Sequence, residues 1–411
     1  MDDNKAYFKF SEVVIIVIIT CTFSIFAGIS YGKTRYSETI SVNGFSEEGK
    51  DEELKNFIKE YKNIITNYYD KDAIDEEKLL SAALKSILDE LGLNDKYSTY
   101  MTDEDYKQVN ITLNGKYEGF GISAYKEKED GYITVSSVFE DSPAKKAGIE
   151  EADLILSIDG KSTTEMTTSD FSNYVLNSDK KEFIVKIRRD KKDFEVKVIK
   201  GNVEIKSVDS KIIERDNKRI GYIGLGIFAS NSYGQFKSNL EKLEKEGFDS
   251  LIIDLRGNTG GHLTEVTQII SLFLDKRHVI FQLQKDDNKT KYYSTGNEDK
   301  KYPIIFIGNE LTASASEVFI ISLKENLDAK LVGMKTYGKG TVQELVNLKN
   351  GDQYKITTKK WLSPKGNWIN DTEGIEPDVK VQLNKTYINN PVEQNDNQLE
   401  EAIKLALNSG K

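Results

Sequence analysis

The chain is poor in residues that several common catalytic and structural sites require. Its 411 residues include a single cysteine, Cys21, so no disulfide can form within the chain and no zinc site can be built on cysteines. Only two histidines are present, His262 and His278. This excludes mechanisms that depend on sets of histidines.

Charge is abundant but is not concentrated in any one segment. The formal net charge is −10, from 57 basic and 67 acidic side chains spread along the chain. There is no basic block that would follow a phosphate backbone, so nucleic acid is not an expected partner. The hydrophobic share of 38% is enough for packed cores, and the length suggests two or three domains.

An uncharged run of residues lies near the N-terminus, at 13–32, between Glu12 and Lys33. As a helix it is long enough to cross the ~30 Å hydrocarbon core of a bilayer. We expect an uncleaved single-pass anchor here, preceded by a short tail at 1–12. A cleaved signal peptide is the alternative, while a lipoprotein would need acylation of Cys21, whose preceding residues match that signal poorly.

Periodicity and turn signals divide the remaining chain into five segments. They are a polar linker at 33–50, a helical segment at 51–110, a β-rich domain with two short helices at 111–201, a core of alternating strands and helices at 202–385, and a tail at 386–411 with one amphipathic helix. The alternation in the fourth segment predicts a layered α/β fold.

Ser314 follows a predicted buried strand and begins a predicted helix, in the segment LTASASE at 311–317. Unpaired backbone N–H groups and the positive end of the helix dipole favour an oxyanion at such a place. Taken alone, the segment is more simply explained as an ordinary helix cap, because Ser and Thr are common at that position. Ser316 is the rival candidate for a nucleophile.

Lys339 lies between two glycines in the segment TYGKGTVQ at 336–343. A lysine acts as a general base only when it is neutral, and lowering its pKa from about 10.4 to near 7 costs roughly 4–5 kcal/mol. Gln343 is suitably spaced to orient the amine by a hydrogen bond. An exposed lysine in a glycine-rich turn is the alternative, and the spacing of a phosphate-binding P-loop is absent.

A third motif, DLRGNTGG at 254–261, follows the strand predicted at 250–255. A glycine-rich loop of this kind can present backbone amides to an anion. A tight turn between a strand and a helix is the alternative interpretation.

Together the three motifs resemble those of the carboxyl-terminal processing proteases, also called tail-specific proteases, of bacteria and plastids. Ser314 and Lys339 are 25 residues apart and Lys339 and Gln343 are four apart, as the family pattern requires. Segment 111–201 looks like the PDZ domain of the family, and the similarity covers about residues 51–385. The implied fold is a multidomain α/β chain with a PDZ domain before a ClpP/crotonase-like protease core.

The resemblance implies specific roles for residues of the core. Ser314 would be the nucleophile, Lys339 the general base, and Gln343 the residue that holds the lysine. The oxyanion would be bound by the backbone N–H of Ala315 and by that of Gly260 or Gly261. The PDZ loop would bind the C-terminal carboxylate of the substrate through Gly119, Phe120, Gly121 and Ile122, and the substrate backbone would add as a strand.

The implied activity is cleavage of proteins near their C-termini through an acyl-enzyme, without a metal or an organic cofactor. The implied partners are protein and peptide tails, the membrane of a bacterial cell with the protease outside the cytoplasm, a regulatory protein and, from the helical segments, a homodimer. A non-catalytic or latent PDZ scaffold is the alternative function, and another kind of hydrolase on a related core is a further one.

Two positions depart from the family pattern. Thr259 stands where the family usually has proline, and His262 stands where it usually has an aliphatic residue. Because His262 follows the expected oxyanion loop, a pair of Ser314 and His262 stays an alternative to the Ser–Lys dyad.

Overall fold

The computed structural model of the chain describes residues 50–93, 95–129 and 131–409. The anchor predicted at 13–32 lies outside these residues, as do the tail at 1–12 and most of the linker. Within the described ranges, no helix is both long and apolar enough to cross a membrane.

Two helices begin the described chain, α1 at Lys50–Asn67 and α2 at Glu76–Gly92, with a short 3-10 helix at Lys71–Ala73 between them. Both lie where the spacing of apolar residues predicts helices. Several of their large apolar side chains are exposed: Leu54, Phe57, Ile58, Ile64, Leu79, Leu80, Ile87 and Leu91.

A short strand, β1 at Thr99–Met101, and a third helix, α3 at Asp103–Asn114, lead into the β-rich domain. The Thr102 hydroxyl caps α3 by accepting a hydrogen bond from the backbone of Asp105, and Gly115 ends the helix in a left-handed conformation with φ 65°. Helix α3 therefore continues past residue 111, where the sequence predicts the start of the PDZ domain.

The β-rich domain contains eight strands and two short helices. They are β2 at Lys116–Gly119, β3 at Ile122–Lys126, β4 at Ile133–Val138, α4 at Pro143–Lys146, β5 at Leu154–Ile158, β6 at Lys161–Ser162, α5 at Thr168–Leu176, β7 at Glu182–Arg189, β8 at Lys192–Ile199 and β9 at Gly201–Glu204, with a 3-10 turn at Thr163–Glu165. The main sheet has the order β3-β4-β5-β7-β8, with β6 against β5. Strands β2 and β9 pair with each other, so the first and last strands of the domain lie side by side.

The remaining elements form the α/β core. They are β10 at Val208–Arg215, β11 at Lys218–Leu225, α6 at Ser232–Glu246, β12 at Ser250–Asp254, α7 at Leu263–Ile270, β13 at Val279–Lys285, β14 at Asn288–Tyr293, β15 at Ile304–Gly308, α8 at Ala315–Leu327, β16 at Lys330–Gly333, β17 at Thr341–Asn347, β18 at Gln353–Leu362, β19 at Val379–Lys380, α9 at Lys385–Asn389 and α10 at Asn397–Asn408, with 3-10 turns at Ile369–Thr372 and Glu393–Asn395.

The larger core sheet has helices on both faces. Its order is β10-β11-β12-β15-β16-β19, and all neighbours after the β10–β11 hairpin are parallel. Leu251 and Ile253 of β12 pack with α6, α7 and α8, whereas Ile252 between them packs with α10. Successive side chains of a strand point to opposite faces, so a strand buried on both sides reads as a continuous apolar run. The predicted layered α/β core is confirmed.

A second core sheet, which the sequence analysis does not predict, joins distant segments. Its order is β1-β18-β13-β14, and β17 pairs with β18. Thr99 of β1 lies opposite Lys355 of β18, so the segment that precedes the β-rich domain is tied to the core. The same sheet contains Gln343, in β17.

Candidate active site

Ser314 lies in a strained turn immediately before α8. Its φ of 57° and ψ of −117° belong to a turn position that glycine normally occupies, and the backbone N–H of Ser316 closes the turn on Ala313 O at 3.1 Å. A non-glycine residue held in such a conformation costs about 1–3 kcal/mol. The strain is consistent with a functional role and is more than a simple helix cap requires.

Asn258 joins the glycine-rich loop to this turn. Its backbone oxygen accepts hydrogen bonds from Ala313 N and from the Ser316 hydroxyl, both at 3.0 Å. A Cβ on Gly260 would lie 2.9 Å from Ser314 Cβ and 3.1 Å from Ala315 N. The loop and the turn therefore meet where the sequence predicts an oxyanion site, and only glycine fits at 260.

The three predicted oxyanion donors differ in their hydrogen bonds. Gly260 N–H donates to the Asn258 side chain at 2.9 Å. Ala315 N–H is in the first turn of α8, and neither it nor Gly261 N–H has an acceptor within the described part of the chain. Of the two glycines, Gly261 therefore has the available donor.

Glu317 connects the turn to the lysine segment. Its side chain is fully buried, and one carboxylate oxygen accepts from Ser314 N at 2.8 Å and from Lys339 N at 2.9 Å. The other oxygen accepts from the Thr336 hydroxyl and from Gly338 N, each at 2.6 Å. Burial raises the pKa of Glu317, and these four hydrogen bonds oppose the rise. The sequence motifs alone predict no role for Glu317.

The Lys339 side chain is partly buried. Burial is the main cause that lowers its pKa, and the nearby charge of Lys355 adds to the effect. Its Nζ lies 4.6 Å from the centre of the Tyr97 ring. Among the described residues no hydrogen bond joins Nζ to the Ser314 hydroxyl. Catalytic contacts of this kind are often long in ligand-free enzymes.

Gln343 lies near this lysine in sequence and in the fold, but its amide is engaged elsewhere. Its Nε2 donates to Thr341 Oγ1 at 2.9 Å and to Thr357 Oγ1 at 3.0 Å. No hydrogen bond from Gln343 to Lys339 Nζ is found within the residues described. Its role as the residue that holds the lysine stays a prediction.

The two alternative catalytic residues have other partners. His262 Nε2 lies 3.0 Å from the backbone oxygen of Leu113, at the end of α3. The Ser316 hydroxyl is buried and donates to the loop, as described above. Neither residue therefore makes a contact that would favour it over Ser314 and Lys339.

The predicted carboxylate-binding loop lies at one edge of the β-rich domain. Gly119 ends β2, and Ile122 begins β3, which among the described strands pairs with β4 alone and is the edge strand of its sheet. Between them, Phe120 is buried and Gly121 has φ 77°, where a Cβ would lie 2.4 Å from Ser142 Cβ. The loop therefore needs glycine at 121 and leaves one side of β3 unpaired.

Within the described residues, one cluster elsewhere has the dimensions of a metal site. The ligand atoms of Asp275, His278 and Asp299 lie within 4.8 Å of one another. The Arg277 guanidinium already pairs with Asp275, and its pairing lowers the pKa of that carboxyl to about 2. We assign no metal to this cluster.

Known proteins share both the core and the β-rich domain. Residues 219–381 match the family model for peptidase family S41, and residues 134–189 match the model for a PDZ domain. The carboxy-terminal processing protease CtpB of Bacillus subtilis (strain 168) is 33% identical over 393 residues, which is 94% of this chain and 79% of that protein. The chain belongs to the carboxy-terminal processing proteases of peptidase family S41.

A second relative agrees with this assignment, and a solved structure shares the fold. A probable CtpA-like serine protease of Staphylococcus haemolyticus is 33% identical over 376 residues, covering 91% of this S41 chain and 73% of that protein. The structure of a candidate S41 protease from Bacteroides fragilis is 15% identical, covers 78% of this chain and 88% of that one, and has a TM-score of 0.51. The predicted family, the serine-type peptidase activity and the PDZ domain are confirmed; the roles of individual residues stay predictions.

Proposed function

We propose that this S41 protease cleaves proteins near their C-termini with Ser314 as nucleophile and Lys339 as general base. The observation that carries the proposal is the Glu317 carboxylate, which binds the backbone N–H of both residues through one oxygen. Two residues 25 positions apart in the chain are thereby fixed side by side. A strained serine and a lysine with a lowered pKa are the chemical pair that such a reaction needs.

The reaction is an acyl transfer. Neutral Lys339 takes the proton of Ser314, whose oxygen attacks the peptide carbonyl and forms an acyl-enzyme as the amine leaves. The free N–H groups of Ala315 and Gly261 bind the developing oxyanion, and each donor of this kind contributes roughly 3–4 kcal/mol. Lys339 then activates the water that releases the acyl group. Gln343 orients the lysine once substrate is bound.

The PDZ domain selects the substrate by its C-terminal tail. Amides of Phe120, Gly121 and Ile122 bind the terminal carboxylate, and the tail adds to the unpaired side of β3 as a further strand. Main-chain hydrogen bonds along an edge strand give affinity with little demand on sequence. This arrangement explains why a protease of this family contains a domain that reads chain ends.

The test is degradation of unfolded casein by the purified protein and four variants, from about pH 6 to pH 10. We expect Ser314→Ala and Lys339→Ala to lose at least about 10³-fold in rate, as removal of either member of a catalytic unit does. His262→Ala and Ser316→Ala should keep most of the activity. Activity that survives in Ser314→Ala would refute the proposal.

The latent-scaffold alternative predicts a different result. All five proteins would then be folded and equally inactive, although each would still bind a peptide that ends in a free carboxylate. If the wild-type protein degrades casein, the latent-scaffold alternative is rejected, whatever the variants do.

We also propose that residues 13–32 anchor the protease in a bacterial membrane, with the PDZ domain and the core outside the cytoplasm. The uncharged run supports this. Intact cells treated with an external protease should lose the described domains, and washing membranes at high salt should not release the chain. Release by salt, or protection in intact cells, would contradict the anchor or its orientation.

Association of two copies is a separate part of the proposal. The exposed apolar side chains of α1 and α2 support a homodimer. Light scattering of the purified protein should give twice the monomer mass, and Phe57→Glu should return it to the monomer. A monomer at micromolar concentration would contradict a dimer.

A further inference from the structure

The segment between α2 and α3 is anchored to the core beside the lysine. Ser98 is buried, and its hydroxyl accepts a hydrogen bond from Thr357 N of β18 at 3.0 Å while it donates to Asp95. The Tyr100 hydroxyl bonds to Asp352. Because β1 pairs with β18, residues 95–101 are held along the core over their whole length.

This anchoring places the Tyr97 ring against the amine of Lys339, with 4.6 Å between Nζ and the ring centre. Tyr337 is its neighbour on the other side: burial and the nearby Tyr337 side chain raise the pKa of Tyr97. Lys96 Nζ lies 4.7 Å from the centre of the Tyr337 ring. The position of the Tyr97 ring is therefore set by its anchored backbone, whose N–H donates to Asp95 Oδ1 at 3.2 Å.

A cleft of about 1060 Å³ borders the two tyrosines. Tyr97, Tyr337 and Gly338 line it, whereas Lys339 does not. Tyr97 therefore borders the cleft and also places its ring against the lysine amine.

We propose that Tyr97 is a positioning residue for the proteolytic reaction, whose ring covers the Lys339 amine and keeps water away from it. The inference rests on the proposed function of Lys339 as general base. Tyr97 lies outside both segments that match family models, 134–189 and 219–381, so neither match assigns it a role.

The ring acts on the lysine in two opposite ways. The face of an aromatic ring attracts a cation, which favours the charged amine. Exclusion of water favours the neutral amine. The second effect prevails, because burial is the main cause that lowers the pKa of Lys339.

Other titratable groups also affect the charge of this amine, and a substitution at Tyr97 does not remove them. Lys355 of β18 favours the neutral form, whereas Tyr337, Asp95 and Glu317 favour the charged form. Lys96 lies next to both tyrosine rings. Because these groups are still present in a Tyr97 variant, a change in the pH dependence of activity reports the loss of the Tyr97 ring from the Lys339 amine.

The experiment is the pH profile of kcat/KM for an unstructured peptide substrate, measured with the full chain. For Tyr97→Ala we expect the acid limb of the profile to move to higher pH by about one unit, since the hydrated amine approaches its ordinary pKa. At pH 7 this is about a tenfold loss of rate that raising the pH restores. Tyr97→Phe, which keeps the ring, should hold the limb within about 0.3 unit.

A matched control is Tyr100→Phe, which weakens the anchor of the same segment without removing the cover. It should leave the acid limb in place even if it lowers the overall rate. A limb that moves equally in Tyr100→Phe and Tyr97→Ala, or that stays in place in Tyr97→Ala, would overturn the proposal.

A measurement without activity separates failure of this inference from failure of the proposed function. The measurement is an NMR titration of the lysine ¹³Cε resonances in Ser314→Ala protein. The resonance of Lys339 is the one that disappears when Lys339→Met is added, and its shift with pH reports the ionisation of Lys339. Its midpoint should rise by about one unit when Tyr97 is also replaced by alanine. If Lys339→Ala is inactive and this midpoint does not rise, the inference alone fails; if Lys339→Ala is active, the proposed function fails.

Discussion

Glu317 acts on the site through backbone groups rather than through the reacting atoms. Four hydrogen-bond donors converge on its carboxylate, from Ser314, Thr336, Gly338 and Lys339. An ionised carboxylate only accepts hydrogen bonds, so it satisfies all four. A carboxamide of the same shape has two donors of its own, which would face N–H groups.

Glu317→Gln should therefore disturb both catalytic segments together. We expect kcat to fall by at least about 100-fold, as misplacement of reacting groups by about 1 Å does. The measurement is kcat on a tail peptide, with circular dichroism to confirm folding. Glu325→Gln is the matched control, because Glu325 lies in the same helix and also accepts from a hydroxyl and a backbone N–H. Equal activity in the two variants would contradict this role.

The glycine-rich loop gives a second test at single residues. Gly260→Ala would place a Cβ 2.9 Å from that of Ser314, at a φ of 106°. We expect loss of nearly all activity in a protein that still folds. Gly257→Ala, in the same loop with φ 73° and open space around its Cβ, should cost only the backbone strain of about 1–2 kcal/mol in stability. Comparable loss of activity in both variants would mean that the contact with Ser314 is unimportant.

Burial of Lys339 has a consequence for stability. The pKa of its amine is lowered in the folded state, so between that pKa and about 10.4 the unfolded chain binds more protons. Stability therefore rises with pH across this window, and at neutral pH the lysine destabilises the fold. Lys339→Met should raise Tm at pH 7, with a gain that shrinks as the pH approaches 10. A gain independent of pH, or one equal to that of exposed Lys360→Met, would contradict this.

The sequence predicts some of these residues and not others for clear reasons. Ser314, Lys339 and Gln343 lie in short motifs whose spacing is visible along the chain. The role of Glu317 is not visible in the sequence, because a glutamate three residues after a serine is also the pattern of an ordinary helix cap. Tyr97 could not be predicted, since its contact with the lysine depends on a pairing of strands from distant segments.

At the scale of elements, the strands differ in how far the sequence reveals them. Strands β12 and β15 are buried on both faces and appear as apolar runs at 250–255 and 303–307. Strands β17 and β18 are partly exposed along most of their length and have no clean alternation, so they were not predicted. The sequence predicts helices at 168–176, 233–246 and 398–407, and α5, α6 and α10 begin and end within one residue of these positions.

Strand β3 gives a prediction about substrate tails. If its unpaired side and the preceding loop bind a chain end, amidation of a substrate's terminal carboxylate should raise KM about 10-fold or more and leave kcat unchanged. Gly121→Ala, whose Cβ would collide with Ser142, should raise KM similarly and remove the difference between free and amidated tails. A KM that does not respond to amidation would show that the loop does not bind carboxylates.

At the scale of the whole molecule, the last helix is part of the catalytic core. Helix α10 lies in the segment that the sequence analysis treats as a tail, yet Leu399, Ala402 and Ile403 pack on the outer face of the larger sheet. Asp396 caps the helix and accepts two hydrogen bonds from Arg256, at 2.7 and 3.0 Å. Arg256 also binds Asp254, so the glycine-rich loop is fastened to the C-terminal end of the chain.

Asp396→Ala should therefore affect both stability and catalysis. The side chains of Arg256 and Asp396 are only 15% and 4% exposed, and Arg256 keeps Asp254 as a partner, so losing the charged hydrogen bonds to Asp396 should cost about 1.5–3 kcal/mol. Because Arg256 belongs to the loop that contains Gly261, we also expect a lower kcat. Glu401→Ala, which breaks an exposed pair with Lys404 on the same helix, should cost at most about 1 kcal/mol. The measurements are the free energy of unfolding from urea denaturation and kcat, for both variants. If Asp396→Ala lowers kcat no more than Glu401→Ala does, α10 contributes packing alone and does not support the catalytic loop.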